Sequence, residues 1–75
     1  MNKLEYLVRW LWEVRDKRDI VTYSQIERGV FMYIGYDRKT IKKYIVLMKK
    51  MGVAKRLNRY QWKMVRAEVT NDEMF

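Results

Sequence analysis

Leu4, Leu7, Val8 and Leu11, continued by Val14 or Arg15, recur at intervals of three and four, the spacing that lines one face of a helix. The pattern predicts a first helix between Asn2 and Asp19. Tyr6, Trp10 and Trp12 fall partly outside that stripe, giving this helix more apolar surface than one core seam needs. Ile20-Val21-Thr22 comes next as a short β-prone run, long enough only to pair with the edge of another strand. Ser24 stands three residues before Glu27, and Thr22 stands in the same relation to Gln25; either pair forms a capping box that starts a second helix. Its expected core residues are Ile26, Val30, Tyr33 and Ile34. Gly29 inside it costs about 1 kcal/mol against alanine, so a close neighbour is expected to need the space.

Gly35-Tyr36 interrupts the pattern, and Asp37 suits both an N-cap and the positive end of a helix dipole. A third helix is predicted over 37–51, with Ile41, Tyr44, Ile45, Met48 and Met51 on one face. Arg38, Lys39, Lys42, Lys43, Lys49 and Lys50 leave the other. Gly52 closes the helix as the residue able to adopt left-handed geometry. Val53 to Leu57 and Tyr60 to Val65 read as two strands joined by Asn58-Arg59 in a tight hairpin. Tyr60, Trp62 and Met64 are expected on one face, Gln61, Lys63 and Val65 on the other. Residues 1–66 are thus read as one small domain, and 67–75 as an acidic, partly ordered tail.

Charge changes this picture most. From Arg38 to Ala67 there are eleven basic residues and no acid; the remainder holds six basic and nine acidic residues, so the formal +8 divides into +11 and −3. A one-sided positive field calls for a polyanionic partner, of which nucleic acid is the commonest. Half of the 75 residues are hydrophobic, and neither cysteine nor histidine is present. Disulfides and thiolate metal sites are excluded, as are the commonest general base and zinc ligand. No metal or cofactor is expected. With no membrane-length apolar run and no signal-peptide layout at Met1 to Arg9, the chain reads as soluble and cytoplasmic.

The order helix, short strand, helix, turn, basic helix, hairpin carries a resemblance. Asp37-Arg38-Lys39-Thr40-Ile41-Lys42-Lys43-Tyr44-Ile45, then Met48 and Gly52-Val53, resembles the recognition helix and first wing strand of the winged helix-turn-helix superfamily. Lys55 to Lys63 looks like its wing, and Thr22 to Ile34 like its supporting helix, so the resemblance spans nearly the whole chain. It implies an α+β fold and a DNA-binding regulator, and the Lys, Arg, Tyr and Ile richness is similar to that of small winged-helix regulators of archaea and their viruses, which would put the protein in the host cytoplasm if viral. The segment from Val30 to Asp37 is about one helical turn longer than the linking turn of compact members.

On this reading, the third helix enters a major groove with Arg38, Lys39, Lys42 and Lys43 toward the bases. Arg38 suits a bidentate contact to guanine, and the lysines suit phosphates or single acceptors. Thr40 and Tyr36 would fix the backbone. Arg56, Asn58, Arg59 and Lys63 would straddle a phosphate ridge or send an arginine into a minor groove. Lys49 and Lys50 are accounted for by the helix C-terminus alone, and Trp62 by a lid over the third helix. Tyr6 and Trp10 are candidates for a homodimer interface, with Met74 and Phe75 as possible additions.

The leading expectation is a sequence-specific double-stranded DNA-binding transcriptional regulator without catalysis. A protein-interaction module using the aromatic surface of the first helix, and a binder of structured RNA, are the alternatives. The acids are dispersed, and Gly29, Gly35 and Gly52 form no phosphate loop, so neither an enzyme nor a small-molecule substrate is expected. Asp16 with Asp19, and Asp72 with Glu73, are read as helix-end and solvated carboxylates.

Overall fold

Apolar periodicity and capping chemistry set the element boundaries. The computed structural model describes residues 2–35 and 37–67; Met1, Tyr36 and residues 68–75 of the expected acidic tail, Met74 and Phe75 among them, lie outside these. The element order is α1 (Lys3–Val14), β1 (Ile20–Thr22), α2 (Tyr23–Tyr33), α3 (Arg38–Lys50), β2 (Ala54–Asn58) and β3 (Gln61–Met64). This is an α+β fold with three helices and a three-stranded antiparallel sheet, in the order β1-β3-β2.

Each helix starts on a side-chain cap. Asn2 accepts from the Glu5 amide at 2.9 Å, and Asp37 accepts from the Lys39 amide at 2.9 Å. At α2 it is Thr22, rather than Ser24, that forms the box: its hydroxyl accepts from the Gln25 amide, and the Gln25 side chain accepts from the Thr22 amide. Such reciprocal caps satisfy two amides that the first turn leaves without helical partners.

The end of α3 is equally defined. Gly52 takes φ of 72°, its amide donates to the Lys49 carbonyl at 3.2 Å, and the Val53 amide donates to Met48 at 3.1 Å. This is the Schellman closure, completed by burial of both Met48 and Val53 in the core.

Leu4, Leu7, Val8 and Leu11 from α1, Ile26 and Val30 from α2, and Ile41, Met48 and Met51 from α3 meet Val21, Val53, Ala54, Trp62 and Met64 in one buried cluster. Val14, Ile34, Tyr44 and Ile45 pack partly buried against it. Trp62 is inside, with the Tyr23 ring 6.2 Å away. Gly29 is where α1 and α2 touch: a β-carbon there would lie 2.6 Å from Leu7 Cδ1 and 2.9 Å from Trp10 Cε3.

Three expectations are corrected. Tyr33 is 38% exposed because it stands at the outer end of α2, where its ring stacks on Tyr6 instead of entering the core. The hairpin turn is Arg59-Tyr60, one residue later than the Asn58-Arg59 expected. Asn58 ends β2: its side-chain oxygen accepts from the Tyr60 amide at 2.9 Å, and its amide group donates to Gln61 at 2.8 Å. The register shifts between Arg56 and Asn58, so Leu57 is an extra residue in β2, the arrangement of a β-bulge. Tyr60 consequently leaves the Trp62 and Met64 face and is 63% exposed.

Candidate nucleic-acid interface

Asp37 caps α3, and burial of Ile41 and Met48 in the core fixes the rotation of the helix about its axis. At about 100° per residue, Arg38, Lys39, Lys42, Lys43, Val46, Lys49 and Lys50 fall within an arc of about 140°. All seven are exposed, while Ile41 and Met48 opposite them are buried. Thr40 lies at the margin, half-buried. Tyr36 falls outside the described residues.

The N-terminal end of this row opposes the helix's own electrostatics. Its first turn contains no acid, and Arg38 and Lys39 occupy the end where the macrodipole is positive, a placement unfavourable by about 0.3–1 kcal/mol for an exposed cation. Arg38 with Lys42, Lys39 with Lys42, and Lys39 with Lys43 are like-charge neighbours at three or four residues, each repelling by about 0.2–0.5 kcal/mol. Lys49 and Lys50, in the last turn, are favourably placed.

The hairpin carries a second group. Lys55 is directly opposite Lys63 across β2 and β3, so the two side chains leave the same, outward face of the sheet, where cross-strand like charges are destabilising. Arg56 is opposite Trp62 and leaves the other face, its guanidinium 6.0 Å from the indole centroid. Arg56 Nε donates to the Asn58 carbonyl at 3.1 Å. Asn58 and Arg56 therefore shape the turn from within, while Arg59 at the tip and Lys63 extend into solvent. Beside the tip, an open groove of about 860 Å³ runs between Tyr23, Tyr60 and Arg59.

The ten cations from Arg38 to Lys63 form no ion pair with another described residue. The ion pairs among the described residues, Arg15 with Asp19 at 2.8 Å and Arg18 with Asp16 at 3.3 Å, lie in the loop between α1 and β1. Asp16 and Asp19 are structural there. Asp16 Oδ1 accepts from the Arg18 and Ile20 amides at 2.8 and 2.9 Å. Asp19 adopts φ of 65°, and its carbonyl accepts from the Met64 amide at 2.7 Å. The Ile20 amide above all, opposed by desolvation and aided by the Arg18 amide and guanidinium, holds the Asp16 carboxyl below its ordinary 3.8. Arg66, the eleventh basic residue of the acid-free stretch, donates its guanidinium to the Met51 carbonyl at the end of α3.

Of the two aromatic candidates on α1, Trp10 is half-buried over Gly29. Tyr6 is 48% exposed, its ring parallel to that of Tyr33 with centroids 6.0 Å apart. Trp12 is half-buried under the Arg15 guanidinium, 3.9 Å from its ring centroid.

Val46 was not among the residues the apolar pattern singled out. It is 47% exposed and lies near the middle of the basic arc. The signal that finds it is the charge of its neighbours rather than its own polarity.

No protein-family model, curated protein or solved structure matches this chain. Among the described residues, no helix is long and apolar enough to cross a membrane, and no group of three or more acidic, histidine or cysteine residues is arranged to hold a metal ion.

Proposed function

We propose that the protein is a sequence-specific double-stranded DNA-binding regulator of the winged helix-turn-helix type, without catalysis, with α3 as its recognition helix and the β2–β3 hairpin as its wing. One observation carries the reading: exposed cations are held against the helix dipole and against one another with no ionic partner among the described residues. A chain under no demand but folding gains stability by replacing Arg38 or Lys39 with an acid. Phosphates remove the penalty by neutralising the row, and release counterions as they do so. The element order and the hairpin after α3 support the winged-helix assignment.

Arg38, Lys39, Lys42 and Lys43 face the major groove in this reading, Arg38 through guanine and the lysines through phosphates or single acceptors. Thr40 and Tyr36 fix the backbone. Arg59 and Lys63 take the phosphates or minor groove beside the wing, while Arg56 and Asn58 hold the turn in shape.

Retardation of labelled duplex DNA across a salt series tests the proposal. The logarithm of affinity falls with the logarithm of salt by about 0.9 per phosphate contact, so replacing both Lys42 and Lys43 with alanine flattens the slope by about two and abolishes retardation at moderate salt. The circular dichroism spectrum stays unchanged. Retardation that survives this change removes α3 from the interface, and preferential competition by structured RNA redirects the same cationic surface to RNA.

A second reading concerns association of copies. The exposed Tyr6 and Tyr33 pair supports a homodimer through α1 and α2, whose two recognition helices would meet half-sites about 34 Å apart. Trp10, lying over Gly29, would contribute its outer edge only. Sedimentation equilibrium checks this: Tyr6→Ala shifts the protein to monomer, and an unchanged mass removes Tyr6 from any interface.

A further inference from the structure

Val46 interrupts the cationic row of α3 at its centre. Its nearest neighbours on the helix surface, three and four residues away on either side, are Lys42, Lys43, Lys49 and Lys50. Every one of the four is exposed and basic. A single exposed aliphatic residue on a protein surface needs no explanation by itself. This one does, because the position is where an acid would gain most: glutamate at 46 would pair with up to four lysines at favourable helical spacing and replace a β-branched residue of lower helix propensity. Valine forgoes both.

The major-groove floor presents one apolar group, the C5 methyl of thymine; its other features are hydrogen-bond donors and acceptors. At about 100° per residue, Lys42 and Lys49 lie about 40–60° to one side of Val46 around the helix and Lys43 and Lys50 about 40–60° to the other, so a helix lying along a major groove turns Val46 to the floor and one lysine pair to each wall. Cations on either side meet phosphates; the short aliphatic side chain between them meets the floor.

We propose that Val46 is a specificity-determining residue that reads A·T pairs through the thymine methyl. This rests on the DNA-binding reading above and adds to it a base type and a residue outside the charged set. Val46 makes no hydrogen bond to a base, so it discriminates thymine from cytosine by van der Waals contact and by desolvation. It discriminates equally between thymine and uracil, which differ only in that methyl.

The test uses the full chain and the tightest-binding duplex recovered from a random pool, synthesised once with thymine and once with uracil throughout. The expected result is a loss of about fourfold in affinity for each contacted thymine, the factor carried by burying one methyl group, with the salt slope unchanged. Val46→Ser, which removes both methyl groups at an exposed position and has a helix propensity close to that of valine, is expected to bind both duplexes alike. Equal binding of the two duplexes by the unsubstituted protein overturns the role of Val46 and leaves the DNA reading standing. An unchanged thymine preference in Val46→Ser assigns the methyl contact elsewhere and likewise overturns it. Failure to retain any duplex at low salt removes the DNA reading and the inference together.

Discussion

The indole of Trp10 lies directly over Gly29, so close that a β-carbon on Gly29 would stand 2.9 Å from Cε3. Leu7, fully buried and one turn earlier on α1, comes closer still, its Cδ1 2.6 Å from the same point. Gly29→Ala gains about 1 kcal/mol of helix propensity but forces a core rearrangement costing about 1–3 kcal/mol. The expected net effect is a loss of about 1 kcal/mol in urea denaturation. An increase in stability shows that α1 and α2 are less closely packed at this point.

Gly52 poses the opposite case. No atom lies within 4 Å of a β-carbon built there, yet φ is 72°. Gly52→Ala therefore meets no steric neighbour and carries only left-handed backbone strain, about 1–2 kcal/mol. A midpoint unchanged from the parent protein would mean that α3 ends by another route.

Asp16 gives the stability a pH dependence of definite sign. Its folded-state pKa lies below the ordinary 3.8, so near that pH the unfolded chain binds more protons than the folded one. The contribution is full above 3.8 and is lost as pH falls through the lowered value. Asp16→Asn keeps an oxygen for the Ile20 and Arg18 amides but cannot titrate, and the acid-induced loss of stability should become shallower. Denaturation midpoints across an acidic pH series check this; identical slopes in the two proteins remove Asp16 as the source.

Val46→Glu separates folding from binding. Four lysines at three or four residues offer the new carboxylate pairs worth about 0.2–0.5 kcal/mol each, and a gain of about 1 kcal/mol is expected. Duplex affinity should fall, because the carboxylate enters the face proposed to meet phosphates. Thermal unfolding and gel retardation on the same preparation measure both effects, and a variant that binds as well as its parent refutes the assignment of this face.

Legibility in the sequence tracks the range of the interactions concerned. Leu4, Leu7, Val8 and Leu11 were legible because a helix on a single core repeats its apolar positions. Asp37 and Gly52 were legible because caps act within three residues of themselves, whereas Thr22 and Ser24 offer equivalent boxes in the sequence and only the folded chain selects Thr22. Tyr33 keeps that period yet lies outside the core, since periodicity gives a face but not where along its length the neighbouring layer stops. Tyr60 was assigned to the wrong environment because Asn58 spends its side chain on its own turn, moving the loop by one residue and inserting Leu57 as a bulge. Arg66 counts in the sequence only as one of eleven basic residues in an acid-free stretch; its partner Met51 is fifteen residues away, and only the folded chain brings them together. The basic row was visible from charge alone, but reading it as a row of lysines concealed Val46, whose meaning depends on all four surrounding residues.

Arg66 gives the segment after α3 a mechanical property. Its guanidinium on the Met51 carbonyl, with the Val65 amide donating to Val53 at 2.8 Å, pins both ends of the hairpin beside the last turn of the helix. The root of the hairpin is thereby tied to the end of the helix, and its offset from the lysine row is inherited from the backbone there. A ligand that spans both meets a spacing already set at the root: one that matches it calls for little rearrangement of the protein, and one that does not must supply the bending itself.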